Sequence, residues 1–586
     1  MKPLVWAFWG HEPKQFYQRR HSDLWSLLGN GEWIPDWYDR LHTEEAIAKA
    51  AAMGVNEIYT HFYKGFGLEM EREDMMRTAE VVQIGHKYGI KVIGYCTIGT
   101  FYYETLADEL PGAIENCSCI GEDGKVIHPD FEGGFVSRNY VCYNSSLYFD
   151  EYYPKVIEFG LKTVKLDGFH FDNGANTACY CPRCVEAFRE YLRQNVPDPR
   201  AYALHSFNHV ALPGKDSKNE PLRLQFLKYR RDVCAKRHQK TFQLVKSINP
   251  EAIVLYNCGI GRFSPPGYVG YDPAYTPAEA DQVFIETGSF IRYENGKLTT
   301  TAPGFKLGKR LGLAVLNTSW LHNEKSLRIP ETAEEITLFQ AESLVFGSDC
   351  GSNWLARPLK SGKGGMVMDT EPHHTLLSQI FHYYLDNPDL YAGALSCSKV
   401  KVLYHSDSRL MDHDVCRTAF NDVCNDLLVR HIPFDIIFPE DDLSAGDTLV
   451  LPGVVMLSQK EAEYFKNLPC KVIAAVTPAG IYNEEGAERC TPVFPVADLA
   501  DIKEEFEVNK EGILLETALT PDGSKLIHLI NCANGADAEN VTIKLPFTAS
   551  NVQIFSYETG LRAVMTAPDT VTVPAFRTLC TLKFQA

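Results

Sequence analysis

Leu166-Asp-Gly-Phe-His-Phe-Asp-Asn173 is followed, six residues on, by Cys179-Tyr-Cys-Pro-Arg-Cys184. The first stretch is an apolar run closed by a carboxylate and an amide. A parallel strand buried on both faces reads this way, its polar residues emerging where the strand ends. The second stretch puts three thiols within one tight turn, so that a fourth thiol from elsewhere would complete a tetrahedral zinc site. By themselves the three cysteines fit a zinc half-site and a Cys-rich loop equally well.

Similar apolar runs recur on both sides, at 4–9, 57–62, 91–98, 253–257, 283–286, 311–317 and 344–347, with 166–171 as the fourth of eight. Amphipathic patterns of helical period lie between them, at 43–53, 75–88, 149–163, 185–194, 221–248, 331–343 and 374–385. Eight buried strands alternating with crossover helices predict a (β/α)8 TIM barrel over residues 1–395. A doubly wound sheet would require a glycine-rich phosphate turn after the first strand, and Trp9-Gly10-His11-Glu12 is unlike one. Residues 396–503 then read as a small flavodoxin-like α/β domain, with strands at 400–404, 434–437, 448–451 and 472–476 and helices at 416–430 and 458–468. Short alternating strands and turn signals over 504–586 predict a C-terminal β-sandwich.

The 586 residues are too many for one core. With 45% hydrophobic and 23% charged residues, the composition is that of a globular protein. A formal charge of −18 with no basic stripe argues against a nucleic-acid partner. No run of about 18 apolar residues is present, so no membrane span is expected. The apolar N-terminus lacks the pattern of a signal peptide and reads as a first strand. Seventeen scattered cysteines, an odd number, do not form a disulfide framework and point to a reduced, cytoplasmic setting.

The run Asn139-Tyr-Val-Cys142-Tyr-Asn-Ser-Ser146, the cysteine cluster and Glu186-Ala-Phe-Arg189 together resemble glycoside hydrolase family 42, the β-galactosidases. The resemblance implies a structural zinc held by Cys142, Cys179, Cys181 and Cys184, with Cys117-Ser-Cys119 as the other source of a fourth ligand. It also implies the same domain order, with an amidotransferase-like middle domain that mediates trimerisation. A homo-oligomer, trimer or dimer, is therefore expected; a 65.9 kDa particle in light scattering would contradict it. The specific match is confined to 139–189 and suits barrel families related to family 42 better than the β-galactosidases themselves.

A barrel carries its active site where its strands end. Those ends supply Trp9 and His11, His61 and Lys64, Tyr95 and Thr97, His170, Asp172 and Asn173, Asn257, Glu286, Asn317 and Trp320, and Asp349, Asn353 and Trp354. Amides and carboxylates for hydroxyls, with flat aromatic faces for sugar C–H groups, make a carbohydrate cup. Of these, Trp9, His61, Tyr95, His170, Asn173, Asn257, Asn317, Trp320, Asp349 and Trp354 are expected to line it. Asp172 is expected as nucleophile, with helix capping or support of the cysteine loop as its structural alternative. Glu286 is expected as general acid/base, or as the residue at the family's nucleophile position, and Asp349 is held in reserve. Family 42 ends its fourth strand Asp-Asn-Glu, the Glu being acid/base; this chain has Asp172-Asn173-Gly174. Asp172 itself resembles the nucleophile of the barrel α-fucosidases and α-galactosidases. Neither His-Glu-x-x-His nor Gly-x-Ser-x-Gly occurs, which removes zinc-dependent and serine hydrolases of those types. The expectation is an exo-acting, retaining glycoside hydrolase for small glycosides, with a structural zinc and no catalytic cofactor. A degenerate sugar-binding barrel, or an inverting enzyme with another carboxylate pair, are the alternatives.

Overall fold

The computed structural model of the chain describes residues 3–10, 12–16, 35–129, 138–174, 177–214, 221–257, 270–272, 274, 280–287, 291–319, 332–359, 364–533 and 536–585. Eight parallel strands form one sheet: β1 (Val5–Phe8), β2 (Glu57–Tyr63), β3 (Lys91–Thr97), β4 (Gly168–Asp172), β5 (Ile253–Asn257), β6 (Gln282–Thr287), β7 (Ala314–Ser319) and β8 (Cys350–Ser352). Their order, β7-β6-β5-β4-β3-β2-β1-β8, is that of a TIM barrel, and β7 and β8 lie beside each other at the closure. The helices around the barrel are α1 (Glu44–Ala52), α2 (Arg72–Lys87), a helical run over 147–164, α3 (Pro182–Asn195), α4 (Arg223–Ile248), a helix over Ala302–Arg310 between β6 and β7 that the sequence patterns did not mark, α5 (Ala333–Glu342) and α6 (His373–Asp386). Among the described residues no helix is long and apolar enough to cross a membrane.

The two-residue period of each strand divides its side chains between two cores. Trp6, Phe8, Tyr59, Ile93, Leu255, Phe284 and Leu316 fill the barrel, whereas Val5, Ala7, Ile58, Val92, Val254 and Val315 face the helices.

The eighth strand is not at 344–347. That segment continues α5 as a π-helical turn, Ser343–Gly347, which ends at Ser348 in the left-handed conformation (φ 63°). Helix α5 lies between the barrel and the C-terminal sheet, where Thr337 meets Thr578. It is therefore buried from Ile336 through Gly347 and has no polar face to mark its period. The strand that closes the barrel is the shorter Cys350-Gly-Ser352, in register with Val5-Trp-Ala7.

Strands β9 (Val400–Leu403), β10 (Phe434–Ile437), β11 (Thr448–Pro452) and β12 (Lys471–Ala475) follow, all parallel in the order β10-β9-β11-β12, a flavodoxin-like arrangement. Two antiparallel sheets complete the chain. One contains Ile513–Leu519, Lys525–Asn531, Leu579–Phe584 and Gln553–Phe555, with Leu395–Ser396 added at its edge; the other contains Glu507–Val508, Ala538–Lys544, Thr570–Phe576 and Val564–Ala567. Lys306 ties the three parts together, its buried ammonium 2.6 Å from Glu516 and 2.7 Å from the Phe434 carbonyl.

The corrected strand moves Asp349 from the end of a strand to the start of one. It sits at the opposite end of the barrel from Asp172, buried, and accepts a hydrogen bond from Ser343 at 2.5 Å. It therefore cannot line the cup. Burial pushes its carboxyl from the ordinary 3.8 up to about 7. Burial likewise raises Glu342, which accepts from the Thr301 amide at 2.6 Å, to about 7. A carboxyl whose folded pKa is raised contributes stability fully below its unfolded pKa and loses it as pH climbs through the folded value. The protein should thus lose stability between pH 4 and 7, on the order of 4 kcal/mol for a fully buried carboxyl of this kind. In Asp349→Asn the fall in melting temperature from pH 5 to pH 8 should shrink without vanishing, since Glu342 titrates in the same range. An unchanged slope would show that Asp349 is ionised in the folded protein.

Candidate active site

Asp172 ends β4 at the mouth of the barrel, half-buried, on the inward parity that it shares with His170. Its neighbour Asn173 adopts φ 55°, a left-handed conformation that asparagine tolerates. That turn brings the Asn173 amide back to donate to Asp172 Oδ2 at 2.9 Å. Asn257, which ends β5, donates to Oδ1 at 2.7 Å, and the Tyr95 hydroxyl from β3 donates to Oδ2. Burial alone would raise the Asp172 carboxyl. The nearby His170 and Lys64 charges and the hydrogen bonds from Tyr95 and Asn257 outweigh it and leave the carboxyl below the ordinary value. The site thus presents an ionised carboxylate in a fixed orientation.

His170 lies one layer below, edge-on to Tyr95 at 5.6 Å and to Phe284 at 5.3 Å. His61 stands 3.5 Å from Glu71. Glu71, fully buried, accepts from the backbone amides of Lys64, Gly65 and Phe66 at 2.6, 2.9 and 2.8 Å and fixes the turn after β2. Burial pushes the Glu71 carboxyl up to about 8. Tyr95, His61 and His170 are each buried, so they form the floor, whereas Asp172, Asn173 and Asn257 reach the opening.

Three further expectations are corrected, two by strand parity and one by burial. Trp9 faces outward: its indole donates to the Leu41 carbonyl at 2.7 Å, just past the short helix Pro35–Arg40, and joins the core outside the barrel. Asn317 shares the outward parity of Val315, and Thr318 takes the inward position opposite Glu286 in the β6–β7 ladder. Trp354 is fully buried, edge-on to Phe339 at 4.9 Å, so no face of it meets a ligand here. Trp9 and Trp354 are thus held by the helical layer behind the sheet, and Asn317 is buried on that side. Glu286 lies at the inward end of β6 by its backbone position; its side chain, and the whole of Trp320 and His11, fall outside the described residues.

Two buried residues escaped the strand-end reading. Glu12 holds Lys64 at 2.9 Å, and its only sequence signal is a charge just past an apolar strand. Arg138 sits over the Tyr102 ring at 4.7 Å, and its charge reaches Tyr95 from the long loop after β3.

That loop and the one after β4 meet at the cysteines. The sulfurs of Cys142, Cys179, Cys181 and Cys184 are buried and lie within 4.8 Å of one another. Cys142 is 3.4 Å from Cys184 and 3.9 Å from Cys181. A tetrahedral zinc with bonds of about 2.3 Å needs sulfurs roughly 3.8 Å apart, which these separations fit. The Ile120 amide donates to Cys179 at 3.4 Å and the Asn144 amide to Cys184 at 3.2 Å, contacts that favour thiolate. Cys142, not Cys117 or Cys119, is the fourth member of the group. Four buried thiols cannot ionise together without a cation: mutual hydrogen bonding drives Cys179 down and Cys184 up.

No family model matches the sequence, and a search of curated proteins finds no match. Solved structures do match. A β-galactosidase from Bacillus circulans sp. alkalophilus superposes with a TM-score of 0.69 over 100% of this chain and 99% of its own, at 14% identity. A family 42 β-galactosidase from G. stearothermophilus gives 0.68 over 94% and 97%, at 13% identity. An α-L-fucosidase from Paenibacillus thiaminolyticus gives 0.63 over 100% of both chains, at 13% identity. The chain has, along its whole length, the fold of the glycoside hydrolase family 42 β-galactosidases.

Gly174 follows Asn173 just past the end of β4. A Cβ built there would point at His238 of α4, 3.3 Å from its Nε2. His238 is buried, stacked on Tyr256 at 4.1 Å, and its Nε2 lies 3.0 Å from the Gly174 carbonyl. Burial lowers the imidazole to about 4, so it is neutral and donates that bond. A side chain at 174 is therefore directed into the wall rather than the cup. Gly174→Glu should lower the melting temperature and confer no β-galactosidase activity. Measurable turnover of an aryl β-galactoside by this variant would show that the wall yields.

Proposed function

We propose that the protein is a retaining, exo-acting glycoside hydrolase for small glycosides, with Asp172 as nucleophile and Glu286 as general acid/base. The observation that carries this reading is the ionised Asp172 carboxylate, oriented by Asn257, Asn173 and Tyr95 at the open end of the barrel. In the first step an Asp172 oxygen bonds to the anomeric carbon as the glycosidic bond breaks, and Glu286 gives its proton to the departing oxygen. Water then cleaves the glycosyl ester, Glu286 takes the water's proton, and Asp172 leaves as carboxylate. Asn173 and Asn257 have amide groups placed for sugar hydroxyls beside it. The lost family acid/base at Gly174 favours one second reading, a sugar-binding barrel without turnover.

A panel of aryl glycosides of both anomers, α-L-fucosides and β-D-galactosides included, separates the two. Asp172→Asn should reduce turnover by about 10³-fold or more while binding is retained. Glu286→Gln should slow substrates with poor leaving groups by roughly 10²-fold and spare activated ones. Near-normal turnover by Asp172→Asn would remove it as nucleophile.

The cysteine group would hold a zinc that braces the loops after β3 and β4, with the chemistry left to the carboxylates. Its four thiolates would leave no position open for substrate, so the metal would be structural. The division at 395 and 503, self-association through the middle domain and a cytoplasmic setting rest on the family resemblance and the composition. Metal analysis should find about one zinc per chain, and Cys142→Ser should lose it and melt earlier. Less than half an equivalent in carefully purified protein would count against the zinc.

A further inference from the structure

Lys64 lies where β2 leaves the barrel, 4% exposed, with its ammonium 2.9 Å from Glu12 Oε1 and 3.0 Å from the Tyr95 hydroxyl. A buried ammonium is costly unless it is paired and hydrogen-bonded. Glu12, itself 1% exposed, supplies the countercharge, and the Tyr95 and Phe16 rings cover the cation at 4.4 and 5.3 Å. Glu71 clamps the Lys64 main chain through three successive amides, so the base of this side chain is fixed as well. An ion pair serving stability alone would need only Glu12. The further contact runs to Tyr95, and Tyr95 spends its proton on Asp172 Oδ2.

The hydrogen bonds therefore form a directed chain. Lys64 donates to the Tyr95 oxygen, and the polarised Tyr95 hydroxyl donates to the carboxylate. Bonds in series strengthen one another where the surroundings exclude water. The geometry points to Lys64 as a positioning residue for Asp172, acting through Tyr95 to fix the carboxylate's orientation and stabilise its charge. Tyr95 is thereby reassigned from holding a sugar hydroxyl to carrying this relay. The inference rests on the reading of Asp172 as nucleophile. It also specifies a step: when the glycosyl ester is cleaved, the carbon–oxygen bond breaks with its electron pair on Asp172, and the relay is in place to receive that charge.

The groups that face Asp172 are His170 on its own strand, Asn173 in the turn, Tyr95 from β3 with Lys64 behind it, and Asn257 from β5; Glu286 ends β6, one strand further on. The Glu12 and Arg138 charges also act on Tyr95, and His61 and Glu71 lie behind Lys64. Tyr95 bridges Lys64 to the carboxylate.

Two variants test the relay with the full-length protein and the most active aryl glycoside of the panel. Lys64→Met combined with Glu12→Gln removes both charges, so no unpaired carboxylate is left buried. Tyr95→Phe leaves the ion pair and cuts the bridge. The acidic limb of kcat/KM reports the free enzyme's nucleophile. Both variants should move it up by about one pH unit, with kcat/KM falling roughly tenfold below the limb. Packing damage alone would lower the rate without moving the limb. A limb that stays in place in Tyr95→Phe overturns the inference by itself, even if the double variant does not fold. A limb that moves in Tyr95→Phe but not in the double variant removes Lys64 from the relay. These outcomes leave the function standing if Asp172→Asn is inactive. Silence across the whole panel, or an active Asp172→Asn, would instead overturn the function and the relay with it.

Discussion

Closure of a parallel sheet on itself is the constraint from which the site follows. Once β1 to β8 surround an axis, each strand must send alternate residues inward and the others against the helices. Trp6 and Phe8 fill the barrel while Val5 and Ala7 meet the outer shell, and the same alternation carries up each strand to its end. Asp172 continues the parity of His170 and arrives at the mouth facing inward. Trp9 and Asn317, one residue out of phase, are absorbed by the wall. A shift of one residue in any ladder would exchange these roles.

The floor of the cup is rich in charge for a buried region, and the charges are arranged rather than merely tolerated. Each carboxylate there has a specific function in holding the next group. Glu71 takes three backbone amides and fixes a turn, Glu12 neutralises Lys64, and Asp172 receives three side-chain donors at the opening. The consequences for ionisation differ. Glu71 has amides but lies with Asp74 and in full burial, so its carboxyl is pushed up. Asp172 has cationic neighbours, so its carboxyl is held down. Two buried carboxyl groups near one floor are thus driven apart by environment alone.

The cysteine group acts on this floor from outside. It joins the loop that carries Arg138 to the loop that follows Asn173, and the Tyr180 amide bonds to the Ile120 carbonyl at 2.7 Å between them. Long loops at the mouth of a barrel are otherwise the least constrained part of the fold. A metal at this point would narrow their motion and keep Arg138 over the Tyr102 ring, a contribution to geometry rather than to bond making.

Much of the architecture was legible in the chain because its determinants are local. Seven of the eight barrel strands, the helices around them other than Ala302–Arg310, the parallel middle sheet and the closing antiparallel sheets follow from period, run length and turn residues. The eighth strand was misplaced because an apolar run buried on all sides carries no period: Leu344 to Gly347 pack against the helix Ala302–Arg310, and the C-terminal sheet meets α5 earlier, at Thr337. Asp172, Asn173 and Asn257 could be found as polar ends of apolar strands. Which strand ends face the axis could not, since that depends on ladder register and on what packs behind the sheet. Glu12 and Arg138 reach Lys64 and Tyr95 across 52 and 43 residues of chain, separations over which no sequence pattern operates, and Cys142 was marked by the family resemblance and not by any local spacing. The amino-acid sequence by itself determined which groups are available for chemistry; tertiary structure decided which of them meet, because burial, parity and charge pairing exist only after the barrel has closed.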